Sequence, residues 1–509
     1  MAKFKPCNYD QMVMLPISLE NQLVPGSLEQ TINELVEKHI ELSVFDERYS
    51  NDDTGASAIH PKVLLKIVLF AYSRGLISSR QMERACVENI TFMALACGYT
   101  PDHSTIAAFI SSMQEEVESV FCNVLLVCDQ LGLLGGSHFS LDGVKLSANV
   151  SKEWSGTFDE LKHKRDKLHE KLKQVVAEHV LADKQPELEQ EHQKKRERRL
   201  QLQIERLNEF LESEQPKQGR NGNEIQSNAV DNESVKMPTS HGVVQGYNAQ
   251  ALVDSKHQVI LAAEAFSSQD HENLEPMVKG AKENLVALGK EENFFQGKQL
   301  TADSNYHGFD SLTFCQAEGL EAYIPDIQFR KRDERFADQK RFKDGVHGRQ
   351  RHATRKKLEP FSVEDFKFDA AQQVYICPQG KELTCHSRNQ RNRHRLYDIY
   401  HARPQDCAEC PLRTRCLSKP TTSRRYLSIQ VDEPEPNVLD EMKTKIDSPE
   451  GKKIYARRLG IVEPVFANIC VHKHMDRFTL RSKSKVDVQW RLYALVHNIG
   501  KICTFGAVQ

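Results

Sequence analysis

Apolar residues recur three and four positions apart over 28–45, 61–72, 79–86 and 106–131, which predicts a helical N-terminal region. Pro61 suits a first helical turn, and Gly75 and Gly132 suit stops. At 137–150 the pattern shortens to a strand-like apolar run, Ser-His-Phe-Ser-Leu-Asp-Gly-Val-Lys-Leu-Ser-Ala-Asn-Val. From 158 to 214 it lengthens again into two Lys-, Glu- and Leu-rich helices broken at Pro186, an antiparallel hairpin. Residues 215–240 are polar, rich in Gly and Asn, and predict a mobile loop. Strands at 247–254 and 258–266, a helix at 273–288, a strand at 299–303, a helix at 309–318 and a strand at 321–325 follow. Together with the run at 137–150 this is an α/β core with a large hairpin inserted after its first strand. From 451 onward the pattern is helical once more, and the last helix, 486–502, offers Trp490, Leu492, Leu495, Val496 and Ile499 for packing.

The composition places the chain among ordinary globular proteins, with 509 residues, 39% hydrophobic and 28% charged. Lys and Arg number 69 against 71 Asp and Glu, so any affinity for nucleic acid must come from local patches. No run is long and apolar enough for a membrane span, no signal-peptide core opens the chain, and a cytoplasmic, nucleoid-associated protein is expected. Between Arg330 and Lys357, twelve basic residues face four acids (12 − 4 = +8), with Phe336 and Phe342 interleaved. Arg330, Lys331, Arg332, Arg355, Lys356 and Lys357 are the phosphate-binding candidates there; a solvated linker is the plainer alternative. For the N-terminal helices, DNA binding and dimerisation are equally open.

The thirteen cysteines include two groups. Cys86, Cys97, Cys122 and Cys128 lie in apolar helical runs and read as reduced core thiols. Cys377-Pro-Gln-Gly, Cys385 and Cys407-Ala-Glu-Cys410-Pro-Leu-Arg-Thr-Arg-Cys416 form two short turns about thirty residues apart. Such turns can set sulfurs at the corners of a tetrahedron, so Cys377, Cys407, Cys410 and Cys416 are expected to hold a structural Zn²⁺, with Cys385 as the spare or a substitute. Unligated thiols are the plain alternative.

Asp142 is a carboxylate in the middle of the first strand, where an isolated charge costs on the order of several kcal/mol unless a cation meets it. Cutting and joining DNA with two metal ions calls for about three converging carboxylates. Asp303, at the end of a strand in Ala-Asp-Ser-Asn-Tyr, is the second candidate, and Glu463, on a late helix, the third. Because Pro464 follows it, Glu463 is expected at a helix start.

Ser-Leu-Asp142-Gly143-Val-Lys145, Gly246-Tyr247-Asn248-Ala-Gln250, Ala-Asp303-Ser-x-Tyr306, the two cysteine turns and Tyr455-x-x-Arg458-x-x-x-x-Glu463-Pro-Val-Phe466 occur in an order that resembles the DDE-type transposases of bacterial insertion sequences, most closely the insertion sequence 1182 group. The resemblance implies a ribonuclease-H-like core with a helical N-terminal domain (1–132), first strand region (133–155), inserted hairpin and loop (156–240), continued core (241–328), basic and zinc-knuckle insertion (329–450) and C-terminal core helices (451–509). It implies two Mg²⁺ or Mn²⁺ ions on Asp142, Asp303 and Glu463, hydrolysis at the transposon end, and attack of the freed 3′-hydroxyl on target DNA. Tyr455 and Arg458 belong to the signature around the acid, with Arg458 facing a phosphate. A basic residue usually follows the Glu, and here only the displaced Lys473 is available. Arg477, Arg481, Lys483 and Lys485 would add phosphate contacts. Double-stranded DNA, as terminal repeats and target, is the implied partner, bound by a homodimer away from any membrane. An inactive DNA-binding relative and a structure-selective nuclease without strand transfer are the competing readings.

Overall fold

A computed structural model describes residues 18–48, 58–181, 187–219, 222–239, 242–336, 361–392, 395–417, 419, 421–431 and 437–506. They form two compact units, Met1–Ile327 with Thr444–Gln509, and Gln328–Lys443.

The first unit begins with helices α1 (Leu28–Lys38), α2 (Pro61–Ser73), α3 (Ser79–Glu88), α4 (Ile90–Leu95), α5 (His103–Ser112) and α6 (Glu116–Gln130). Pro61 does occupy the first turn of α2, and a Ser78–Gln81 capping box starts α3. The single apolar run at 106–131 is two helices, because Asp102 caps one start and the chain turns at Met113 before α6. Helix α2 is buried on nearly every side, and its Tyr72 ring stacks at 4.5 Å on Tyr493 in the last helix of the unit. The N-terminal helices and the chain's late helices therefore share one core.

The central sheet contains β1 (His138–Ser147), β4 (Val235–Thr239), β5 (Gly242–Asp254), β6 (Ile260–Phe266), β7 (Gln299–Ala302) and β8 (Glu321–Tyr323), with a separate two-stranded pair β2 (Ser155–Gly156) and β3 (Ser227–Asn228). The order is β6-β5-β1-β7-β8; β1, β7 and β8 run parallel, and β5 and β6 antiparallel. This mixed α/β sheet is consistent with the ribonuclease-H-like core that the resemblance implies. The expected loop at 215–240 is corrected in part: β3 and β4 lie within it, and β4 shares the outer edge of β5 with β6. The long side of β5 binds β1 closely, since a Cβ on Gly246 would lie 1.9 Å from the Leu146 carbonyl oxygen.

Helices α7 (Phe158–Leu181) and α8 (Glu187–Ser213) make the predicted hairpin, rooted where Phe158, Leu161, Leu207 and Phe210 pack together. Helix α9 (Leu274–Ala287) covers β6, and α10 (Phe309–Ala317) connects β7 to β8. Two late helices, α11 (Pro449–Phe466) and α12 (Lys483–Phe505), close the unit.

Two expectations fail here. Cys97 is exposed, at a left-handed φ of 51° just past α4, so it is no core thiol, whereas Cys86 and Cys128 are buried. Glu463 lies in the last turn of α11, not at a helix start. Pro464 is tolerated because its cost is a lost bond to the carbonyl four residues back. That residue is Gly460, and its freed oxygen accepts instead from Gln258 Nε2 at 2.9 Å. Beyond Phe466 the helix widens into a π-turn over Ala467–His472.

The second unit was not foreseen as a sheet. It is antiparallel, with β9 (Lys367–Asp369), β10 (Val374–Ile376), β11 (Glu382–Asn392), β12 (Arg395–Ala402) and β13 (Tyr426–Gln430) in the order β13-β12-β11-β10-β9. Phe361, Phe366, Leu383, Tyr400, Ala402 and Leu427 form its small core. Its strands are short and rich in Arg, His and Gln, so alternation is weak and the cysteine turns hide the rest.

Candidate active site

Parallel pairing of β1 with β7 runs from His138↔Gln299 to Leu141↔Ala302. Asp142, midway along β1, and Asp303, just past the end of β7, come next, so two acids 161 residues apart in sequence (303 − 142) stand where the parallel pairing stops. Asp303 also caps the turn after β7, accepting from the Asn305 backbone N–H at 2.8 Å. Helix α11 packs against β1 and β7. Its Arg458 is buried, and the guanidinium donates to Asp142 Oδ2 at 2.7 Å. Gly143 N–H donates to the other Asp142 oxygen at 2.9 Å.

Burial pushes the Asp142 carboxyl up to about 6 although Arg458 opposes the shift, and Asp303 and Glu463 add to it by repulsion. Burial likewise raises Asp303, against its bond from Asn305 and the pull of Arg458, with Asp270 adding repulsion. The acids thus gather in a site short of positive charge. Glu463 stands five residues past Arg458, about 140° around the helix, and is exposed. It reaches Asp142 through the electric field without sharing its burial.

Asp270 was missed by the sequence reading. It is 8% exposed in the turn between β6 and α9. Its Oδ1 accepts from Asn248 Nδ2 at 2.7 Å and Gln250 Nε2 at 3.0 Å. Its Oδ2 accepts from Asn305 Nδ2 at 3.1 Å, and the same amide reaches Asp303 Oδ2 at 3.3 Å. Tyr306 donates its hydroxyl to Gln250 Oε1. The motifs around Asn248, Gln250 and Tyr306 are therefore the scaffold behind the acids. Gly143 is part of it, since a Cβ there would meet Gln250 Nε2 at 2.1 Å and Asn248 Oδ1 at 2.8 Å. The available signal for Asp270 was an acid just after the third core strand, the same kind of position as Asp303.

The DNA-contact candidates scatter. Arg458 is turned onto Asp142 and not outward, which corrects the expectation that it faces a phosphate. Lys473 is also buried: its ammonium donates to Asn468 Oδ1, and burial and Lys501 lower it to about 8. Tyr455 is half-buried near Arg458, and Arg477 is exposed beside the end of β1. Arg481 donates to the Asn149 carbonyl at 3.0 Å and Lys483 bridges Glu264 and Asp487, while Lys485 is exposed. In the second unit Arg330 and Lys331 are exposed and Arg332 half-buried in a short helix, Phe329–Arg332. Arg355, Lys356 and Lys357 lie outside the described residues.

Cys377 opens a tight turn in which Lys381 N–H donates to its sulfur at 3.3 Å and Gly380 takes a φ of 78°. The Cys416 thiol is raised by burial, with Cys407, Cys410 and Cys377 close enough to add repulsion and Arg425 opposing it. Cys385 points its sulfur to the Ser387 carbonyl at 3.7 Å. Among the described residues, no three Cys, His, Asp or Glu side chains stand close enough to hold a metal ion without adjustment.

Residues 376–503 match the family model described as Transposase DDE domain, and residues 17–112 match the one described as Transposase domain (DUF772). The two matches indicate a DDE-type transposase of an insertion sequence. In this transposase the first match takes in Arg458, Glu463 and all the clustered cysteines, while Asp142 and Asp303 lie outside both matches. The helical N-terminal region is itself a transposase domain by the second match. No curated protein matches the chain. Among the described residues, no helix is long and apolar enough to cross a membrane.

Proposed function

We propose that the transposase cuts insertion-sequence ends and joins the freed 3′-hydroxyl to target DNA, with Asp142, Asp303 and Glu463 as its catalytic acids. The observation that carries this reading is the meeting of Asp142 and Asp303 where the parallel pairing of β1 and β7 stops, both raised by burial and answered by one guanidinium. Carboxylate oxygens in a cation-poor site fit Mg²⁺ or Mn²⁺. Two such ions, when bound, would activate the attacking oxygen and stabilise the leaving one. The chain's own share is positional: the Asn305 amide fixes Asp303 relative to Asp270, while Gly143 N–H and Arg458 fix the two oxygens of Asp142. Exposed Arg477, Lys485, Arg330 and Lys331 would neutralise duplex phosphates, so binding falls steeply with salt. Tyr455 would complete the signature beside Arg458, and a homodimer would hold the two ends. Cys377, Cys407, Cys410 and Cys416 would hold a structural Zn²⁺, the Cys377 turn being already bonded in the required form.

Asp142→Ala tests the reading. It should abolish Mg²⁺-dependent cutting of a terminal-repeat duplex, by about a thousand-fold or more, while duplex binding survives. Undiminished cutting by this variant sinks the assignment. Joined transposon–target products from the unaltered protein separate a transposase from a plain nuclease.

A further inference from the structure

The sheet of the second unit has an outer face that its core does not use. Register sets Thr384, His401 and Tyr426 side by side across β11, β12 and β13. An irregularity between Cys385 and Ser387 brings His386 over His401. The two imidazoles stack at 4.2 Å and 18°, and Tyr426 meets His401 near edge-on at 6.2 Å. Their neighbours Cys385, Tyr400 and Leu427 belong to the apolar cluster on the opposite side.

Cross-strand aromatic pairs can exist only to stabilise a sheet. That role favours covered rings, yet Tyr426 is 59% exposed on an edge strand, and His386 is exposed as well. The surroundings are cationic: residues 361–431 carry twelve Lys and Arg against seven Asp and Glu (12 − 7 = +5). Burial lowers the His401 pKa, with His386 and Arg424 close enough to add to the shift. Arg391 pairs with Leu396 and so turns to the core side, where Arg388 acts on Tyr400, which leaves Arg424 as the cation beside the rings. Flat rings flanked by cations suit bases whose faces are open, and duplex DNA hides those faces in its stack.

We infer that this face binds single-stranded DNA, stacking unpaired bases on the exposed rings of His386 and Tyr426 while Arg424 meets a phosphate. The inference rests on the transposase reading only in taking DNA as the ligand. Strand cutting at an insertion-sequence end produces unpaired nucleotides, and this face would hold them.

The test uses the full chain in Mg²⁺-free buffer with a single-stranded oligonucleotide carrying 2-aminopurine, and in parallel a terminal-repeat duplex. Tyr426→Ala should weaken single-strand binding roughly ten-fold and abolish the fluorescence quenching, with duplex affinity unchanged. Tyr426→Phe keeps the ring and should keep both. Should the alanine variant not fold, Arg424→Gln should still reduce the salt slope for single strands by about 0.7. Unchanged single-strand binding by Tyr426→Ala, an equal loss in Tyr426→Phe, or a parallel loss on duplex each overturns the inference. So does a change in self-association without a change in DNA binding, which would assign the face to a second copy. An unaltered protein that cuts the duplex yet fails to quench the probe overturns this inference alone; one that neither binds nor cuts DNA overturns the transposase reading too.

Discussion

The two units are built on opposite economies. The first unit surrounds its acids with a full hydrophobic interior, from Leu141 and Ala302 where the parallel pairing stops to Trp490 and Val465 on the late helices. Its polar scaffold is bonded throughout, with both oxygens of Asp270 occupied by side-chain amides. The second unit has six buried residues at its centre, and four of its five clustered cysteines, Cys377, Cys385, Cys407 and Cys416, pack partly buried against them. A core that small needs a staple to stay folded. The acids therefore sit on a scaffold packed by a large interior of its own, whereas the thiol turns sit in one with few buried residues.

The sharpest way to break this contrast is to remove the staple. Cys410→Ser, or a strong chelator, should unfold the second unit, a loss of roughly 5 kcal/mol or more, while the first keeps its melting transition. Limited proteolysis would read the two separately, and metal analysis of the unaltered protein should find about one Zn²⁺ per chain. A single transition lost as a whole would show that the units are not independent in stability. Next in size comes Arg458→Ala, which leaves Asp142 buried without its partner and should destabilise the metal-free first unit by about 3 kcal/mol. This effect has a pH signature. Asp142 lies near 6 in the folded protein, above its ordinary 3.8, so the proton it holds stabilises the fold fully below about pH 4, and that contribution is lost as pH rises through 6. The Arg458→Ala penalty should accordingly be full at pH 8 and much reduced at pH 5 in chemical denaturation; an equal penalty at both would mean that the pair is incidental. Smallest is Asp270→Asn. It sets an amide donor against the amides of Asn248 and Gln250, at a cost of about 1–3 kcal/mol, and should slow cutting through Asp303 without changing duplex affinity.

The same contrast governs what the sequence makes legible. In the first unit, the strands expected at 258–266 and 299–303 are met to within two residues, and the one expected at 247–254 is met except that it starts at Gly242, because buried strands bounded by turns leave an apolar rhythm. Asp142 and Asp303 stood out as charges at the ends of or within such runs. Asp270 did not, because a short turn between strand and helix is polar in most proteins, and only the amides around it reveal its burial. The position of Glu463 was misread because Pro464 argues for a boundary. Nothing local shows that Gln258, some two hundred residues earlier, takes over the carbonyl which the proline abandons. The sheet of the second unit was hidden for a different reason. Its strands face a small core on one side, so the period of two is carried by few residues, such as Leu383, Tyr400 and Leu427.

The bond between Arg458 and Asp142 spans 316 residues of chain. On a ribosome the first strand emerges long before its counter-ion, and helix α12, whose Trp490 donates to the Gln250 carbonyl at 2.8 Å, later still. Strand β1 must wait in an incomplete sheet until the polymer beyond residue 483 is available to cover it. A chain interrupted before the late helices thus leaves Asp142 without Arg458.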